Sequence, residues 1–343
     1  MMGTTHYRLG ALYYILLGAA AGTVPLLAAV PVIGDIAKNG ISLAGVLVAA
    51  LAALMPDMDS QHSKINRLNP VTGLANEAID MVTRMLGFCI RLALGVGSAL
   101  LILRYSQWII VWLKSIKYIS EHAEAITYIT AAILALSGIF NGHAISAMPV
   151  LGSIYRRALE SVSKGSSLLK RAVMFLAYAG CGAAILIYNF NYLGDGVVYL
   201  AGLLLIATAI FPHRSFLHST EGLVMYSVCA FYLAGKLGYA YLGNVFFLGY
   251  ASHLYLADMF TREGIPLSVI PMILKKAGIH KVLKKYAVYR AAYGVLDIRL
   301  RLPLSSTGSK SGDRLEGGYV LLLLIACATA FLISGAGIRI AIL

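Results

Sequence analysis

Apolar runs long enough to cross a bilayer recur from one end of this chain to the other, and nothing else restricts its fold so severely. A span needs roughly 20 mostly apolar residues. Inside lipid the backbone must satisfy its own hydrogen bonds, which leaves helices for runs of this composition. Helices are expected near 7–33, 41–56, 82–103, 125–140, 171–190, 196–212, 221–242, 246–261 and 318–341, so the predicted fold is an all-α, multi-pass transmembrane bundle of about nine spans. A chain that is 59% hydrophobic and 13% charged is not a soluble globular domain. The stretch from Tyr7 to Ile33 is too long for a signal-peptide core and reads as an uncleaved first span. Residues 150–169 and 268–295 mix Lys and Arg with Leu, Ile and Tyr at near-helical spacing, as interfacial amphipathic helices or solvated connectors do. Cys89, Cys181, Cys229 and Cys327 each sit alone in an apolar run and read as packing residues. The polar loop from Pro303 to Gly317 lacks the order of a phosphate-binding P-loop.

An ionisable side chain at a helix end or inside a span is costly and marks a functional candidate. Four places qualify: His6 before the first span; Asp57 and Asp59 after Pro56 at the end of the second; His213, Arg214 and His218 between the sixth and seventh; and His253 with Asp258 in the eighth. If the spans alternate, all four reach the same membrane face. Seven ligands then converge there, four imidazoles and three carboxylates, enough for one or two divalent ions with a position open for water. Bunched carboxylates repel one another unless a cation lies between them.

Spacing adds detail. Asp57 and Asp59 in extended backbone would point the same way. His213 and His218, about 140° apart on a helix, share a site only if the backbone breaks between them. Each piece has a simpler reading: a helix cap for the carboxylate pair, a lipid-phosphate contact for His213-Arg214, an interhelical hydrogen bond for His253. Their convergence on one face favours a metal. His62, His122, His143 and His280 lack such company.

The motifs resemble the YdjM-type family of LexA-regulated inner-membrane proteins, described as membrane-bound, metal-dependent hydrolases. The resemblance rests on Thr5-His6, Leu54-Met55-Pro56-Asp57-Met58-Asp59, His213-Arg214 with His218-Ser219, and Gly249-Tyr250 with Ser252-His253, Asp258, Thr261, Gly264 and Pro266-Leu267. Arg301 to Leu304, Thr307 to Ser309 and Glu316 match a weaker C-terminal stretch. Leu217 stands where the family usually has Thr, and Asp258 follows His253 by five residues instead of four, a shift of about 100° that a π-bulge would absorb. Relative to the family pattern, 68–195 reads as an insertion of about three spans within a single integral membrane domain, 1–343.

The resemblance implies hydrolysis; the residues imply a metal site with Arg214 beside it. Asp57 and Arg214 are the expected catalytic residues, with Arg214 clamping an anionic group and favouring a phosphoester, on a lipid-linked or phosphorylated substrate. Zn, Mn and Fe all suit mixed imidazole and carboxylate ligands. A metal or solute transporter would place its ligands near the midplane, and a scaffold would use the metal only as a staple.

Charge orients the molecule. Of 28 Lys and Arg, six (Lys38, Arg104, Lys114, Lys117, Lys236 and Arg339) fall on or toward the far side, leaving 22 on the face that carries the motifs. The positive-inside rule makes that face cytoplasmic, with the N-terminus inside and the C-terminus outside. The basic segment 268–317 then meets anionic lipid headgroups, and the +13 excess reports topology instead of nucleic-acid binding.

Overall fold

The computed structural model describes residues 3–60, 63–302 and 310–334. His62, Pro303 to Ser309, and the end of the last expected span with Arg339 lie outside the described residues. In chain order the helices are α1 (Gly3–Ala20), α2 (Pro25–Ala28), α3 (Pro31–Asn39), α4 (Leu43–Ala52), α5 (Lys64–Leu68), α6 (Pro70–Arg104), α7 (Ser106–Lys114), α8 (Ala123–Phe140), α9 (His143–Ala147) and α10 (Pro149–Tyr188). There follow α11 (Gly196–Ile210), α12 (Thr220–Lys236), α13 (Tyr241–Leu256), α14 (Ile270–Lys276), α15 (Ile279–Leu283), α16 (Ala287–Leu296) and α17 (Lys310–Ser334). Besides short 3₁₀ turns at Met55–Asp59, Ser120–His122 and Asp258–Phe260 and a π-helical turn at Asn189–Leu193, the described residues include a two-residue antiparallel ribbon, β1 (Ile265–Pro266) against β2 (Arg299–Leu300).

Four helical segments are long and apolar enough to cross a membrane: Pro70–Arg104, Ser120–Phe140, Pro149–Leu193 and Arg314–Ser334. Helices α4 and α11 are apolar but shorter. The first expected span is broken after Ala20, where the chain turns before Pro25 and Pro31 start new helices, because a proline at the first helical position has no amide hydrogen to lose. The segment 150–169, expected as a separate interfacial helix, is continuous with the following span in the 40-residue α10. No helix stop separates them, and the buried Lys170 at the junction is neutralised by Asp80 of α6. By contrast, 268–295 does break into the short α14, α15 and α16. The expected loop 303–317 is helical from Lys310 onward.

The chain divides into two compact units. One is Gly73–Val173, where Ala99 of α6, Ala131 and Leu134 of α8, and Ile145 of α9 share a core. The other comprises the residues up to Thr72 and those from Met174 onward, and it contains every motif singled out above. Its centre is α13, packed against α1, α3, α4 and α12. Close packing here depends on glycine: a Cβ on Gly249 of α13 would lie 2.4 Å from the Ala49 carbonyl oxygen of α4, and one on Gly10 of α1 would lie 2.6 Å from the same atom. Side-chain caps set where these helices begin. Ser42 accepts from the Gly45 amide to start α4, and Ser219 from the Gly222 amide to start α12. Outward faces are apolar, as on α17, where Leu321, Leu322, Leu324 and Ile325 are all exposed and suited to lipid contact.

Candidate metal centre

Four separate pieces of chain deliver polar side chains to one buried point. His6 comes from the second turn of α1, Asp57 from a 3₁₀ turn at Met55–Asp59, His218 from the loop before α12, and His253 from the last turn of α13. Asp258 joins them because α13 ends at Leu256. Ala257 leaves helical geometry (φ −129°, ψ −68°), and a 3₁₀ turn begins at Asp258. The extra residue between His253 and Asp258 is therefore absorbed by a helix end and not by a π-bulge.

The donor atoms are close but mostly not hydrogen-bonded. Asp258 Oδ2 lies 3.2 Å from His218 Nε2 and 3.4 Å from His253 Nε2, and Asp258 Oδ1 lies 3.9 Å from His6 Nε2. Asp57 Oδ1 is 3.7 Å from His218 Nε2 and 3.9 Å from His253 Nε2. The His6 and His253 rings stack with centroids 3.9 Å apart. Three ligand sets can be drawn within 4.8 Å: His6, Asp57 and His253; Asp57, His213 and His218; and His218, His253 and Asp258.

Burial makes this arrangement expensive without a cation. His218 is 1% exposed and His253 is fully enclosed, yet both ring nitrogens of His218, Nε2 of His253 and Nδ1 of His6 have no hydrogen-bond partner. Each such orphan costs about 1–3 kcal/mol. Donors about 2.0–2.2 Å from a common ion lie roughly 3–4 Å from one another, which is the spacing found. The residues fit a divalent metal.

Neighbouring groups fix the orientation of two imidazoles. A carbonyl only accepts, so His253 donates Nδ1–H to Ala53 O at 2.7 Å and turns its Nε2 lone pair inward. His213 likewise bonds Asp59 Oδ1 through Nδ1 at 2.6 Å. Burial alone would lower the His213 pKa, but the Asp59 hydrogen bond and charge outweigh it and hold the pKa above the ordinary imidazole value. Burial raises the Asp57 carboxyl, and the neighbouring imidazoles, that of His253 foremost, more than reverse this, holding it below the ordinary carboxylate value.

Two expectations need correction. Asp57 and Asp59 do not point the same way: the backbone is 3₁₀ and not extended, so Asp57 faces the cluster while Asp59 backs His213. Arg214 is not a free clamp either, because its guanidinium is ion-paired with Glu263. Its φ of +59° makes it the one non-glycine in left-handed backbone among the described residues, and this is the break that turns His213 and His218 toward each other. His122 and His143 are exposed and His280 packs on Tyr293; none of the three belongs to a ligand set among the described residues.

Sequence reasoning missed the groups behind the site. Asn66, 1% exposed at the end of an unremarkable S-K-I-N stretch, donates to the carbonyls of Met58 and Ser60 at 2.8 Å each and accepts from Tyr178 of α10. It thereby clamps the backbone on both sides of Asp59. Glu221 of α12 holds the hydroxyl of Ser268 and the amide of Val269. Thr5, beside His6, donates to Glu316 of α17 at 2.8 Å, and buries a carboxylate that only the weak C-terminal motif had marked.

Against known proteins, the YdjM inner membrane protein family model matches residues 1–337. No curated protein and no solved structure matches the chain.

Proposed function

The chain belongs to the YdjM inner membrane protein family, and from that premise we propose that it is a membrane-embedded, metal-dependent hydrolase acting on a phosphoester of a lipid-linked anionic substrate at the cytoplasmic face. The observation that carries this reading is the convergence of orphaned, buried imidazole nitrogens on the carboxylates of Asp57 and Asp258.

His6, Asp57, His218, His253 and Asp258 would hold one or two divalent ions, with His213 completing a second set at the exposed edge. A divalent ion in such a site activates water near neutral pH and polarises a phosphoryl oxygen. The chain's own groups do the rest. Ala53 and Asp59 keep His253 and His213 in fixed tautomers; where a single ion is held by the inner set without His213, the Nε2 of His213, with Nδ1–H on Asp59, is left to accept or return a proton. Apolar walls exclude water from the inner side: a cavity of about 750 Å³, bounded by Met55, Tyr226, Leu233, Leu237 and Phe246, begins two residues from Asp57. Leu233 and Leu237 are exposed toward the molecule's exterior, so an acyl chain entering from the bilayer suits this cavity.

Metal analysis of detergent-purified protein tests the site, with His253→Ala and His218→Ala expected to lose bound metal. An Asp57→Ala protein that folds and keeps metal but loses turnover would separate catalysis from a stapling role. Metal-free wild type would end the proposal, and metal uptake into sealed vesicles with no hydrolysis would favour a transporter. Labelling of cysteines introduced at 275–290 tests the orientation, with reaction expected only from the cytoplasmic side.

A further inference from the structure

Beside the cluster, and opening past His213, lies a second cavity of about 340 Å³ whose wall carries Arg214, Lys275, Lys276 and Arg299 against the single carboxylate Asp297. Its walls are built from fixed backbone. Glu221 pins the start of α14 through Ser268 and Val269. The opposite wall is held by the pairing of Ile265 with Leu300 and by the Leu267 amide donating to Ile298 O at 2.9 Å. Gly264 permits that pairing: its φ is +61°, and a Cβ there would lie 2.6 Å from the Leu300 carbonyl oxygen.

The four cations are not equivalent. Arg214 and Arg299 are both engaged by Glu263, the first through its carboxylate and the second through its carbonyl at 3.1 Å. No carboxylate pairs with Lys275 or Lys276 among the described residues; both are exposed and line the cavity, where four cations stand against the one carboxylate of Asp297. A concave surface with unpaired lysines attracts a compact anion, and an ammonium suits a phosphate as a point charge. His213 belongs both to this wall and to one of the ligand sets, so an anion here is adjacent to the metal centre.

We infer that this cavity binds a phosphate group of the substrate, with Lys275 and Lys276 as its specificity-determining residues. The inference rests on the hydrolase reading for its substrate, but its test needs no turnover. A phosphate of this kind can come from a lipid headgroup or from a soluble phosphoester, and the two are separable. Binding to detergent-purified full-length protein is measured for short-chain phosphatidate, for phosphatidylcholine of the same chain length, and for glycerol 3-phosphate, with metal content assayed alongside.

Phosphatidate is expected to bind and phosphatidylcholine to bind far more weakly. Lys275→Ala/Lys276→Ala should weaken phosphatidate binding roughly tenfold or more, with metal content unchanged, and Lys275→Arg/Lys276→Arg should retain it. Equal affinity for glycerol 3-phosphate would identify a soluble phosphoester as the source, and much weaker affinity a lipid headgroup; both support the site. The inference is overturned if neither phosphate probe binds, or if the alanine pair binds as wild type does. Phosphate binding that depends on the lysines in a protein lacking metal would leave this site standing and remove the hydrolase reading. Normal metal and turnover with lysine-independent binding would do the reverse.

Discussion

Replacing Asn66 with alanine removes a side chain that touches none of the proposed ligands, yet the structure predicts a large effect on metal binding. The carboxamide donates to Met58 O and Ser60 O, accepts from the Tyr178 hydroxyl and makes a weaker contact with Met174 Sδ at 3.6 Å. In the variant the Ser60 carbonyl keeps the Ser63 amide as a donor at 3.1 Å, whereas Met58 O loses this donor and the Tyr178 hydroxyl its acceptor. At about 1–3 kcal/mol for each group left without its partner, destabilisation of about 2–6 kcal/mol is expected. Asp59 sits between the two clamped carbonyls and orients His213, so freeing this turn loosens a ligand set from behind. Loss of such an outer partner typically costs about 10–100-fold in metal affinity. Thermal unfolding in detergent measures the first effect, and metal titration of folded protein at a temperature well below its transition measures the second. Asn66→Asp provides a shape-matched comparison. It still accepts from Tyr178 but sets a carboxylate against two carbonyl oxygens, so its metal affinity should fall at least as far as that of the alanine variant. A destabilised Asn66→Ala protein with wild-type metal affinity would refute the positioning argument.

Other expectations follow from the same packing. Gly249→Ala gains up to about 1 kcal/mol in helix propensity, but its Cβ meets the Ala49 backbone, and overpacking at about 1–3 kcal/mol outweighs the gain. Thermal unfolding should show net destabilisation, and metal content should fall because α13 can no longer bring His253 against Ala53. Asp195, which caps α11, is held below the usual carboxylate range first by the Tyr232 hydroxyl and then, against slight burial, by the amides of Val198 and Val197 and the charge of Lys236. A depressed folded pKa contributes stability above the unfolded value of about 3.9 and loses it as pH falls through the folded value. Asp195→Asn should therefore lower the transition temperature at neutral pH and flatten its decline in acid, as unfolding scans across pH 3–7 would reveal.

The polar residues that meet in the core were legible one by one because apolar spans make them conspicuous. His6, Asp57, His218, His253 and Asp258 stand out against lipid-like surroundings, and alternation of spans places them on one face without any knowledge of packing. Directions within a motif were less accessible. Whether Asp59 points with Asp57 or away from it depends on extended versus 3₁₀ backbone, a difference of one hydrogen-bonding pattern that Pro56 does not decide. The engagement of Arg214 by Glu263 requires the loop to take a left-handed residue, which no local signal announces in an arginine. Asn66 was invisible for the opposite reason: a lone Asn near a helix start has many surface uses, and only its burial against Tyr178 reveals this one. The sequence divides the long α10 because residues 150–169 mix Lys and Arg with Leu, Ile and Tyr as an interfacial helix does, and nothing local shows that Asp80 neutralises Lys170 and lets the helix run on.

The bond between His253 and Ala53 has a further consequence during biosynthesis. Its partners are separated by 200 residues, which a ribosome working at about 5–20 residues per second needs roughly 10–40 s to cover. Throughout that interval the early ligands His6 and Asp57 must wait in or beside the bilayer without the residues that complete their site. On the proposed metal reading, capture of the ion would be a late event, open only to a chain whose α13 has been inserted.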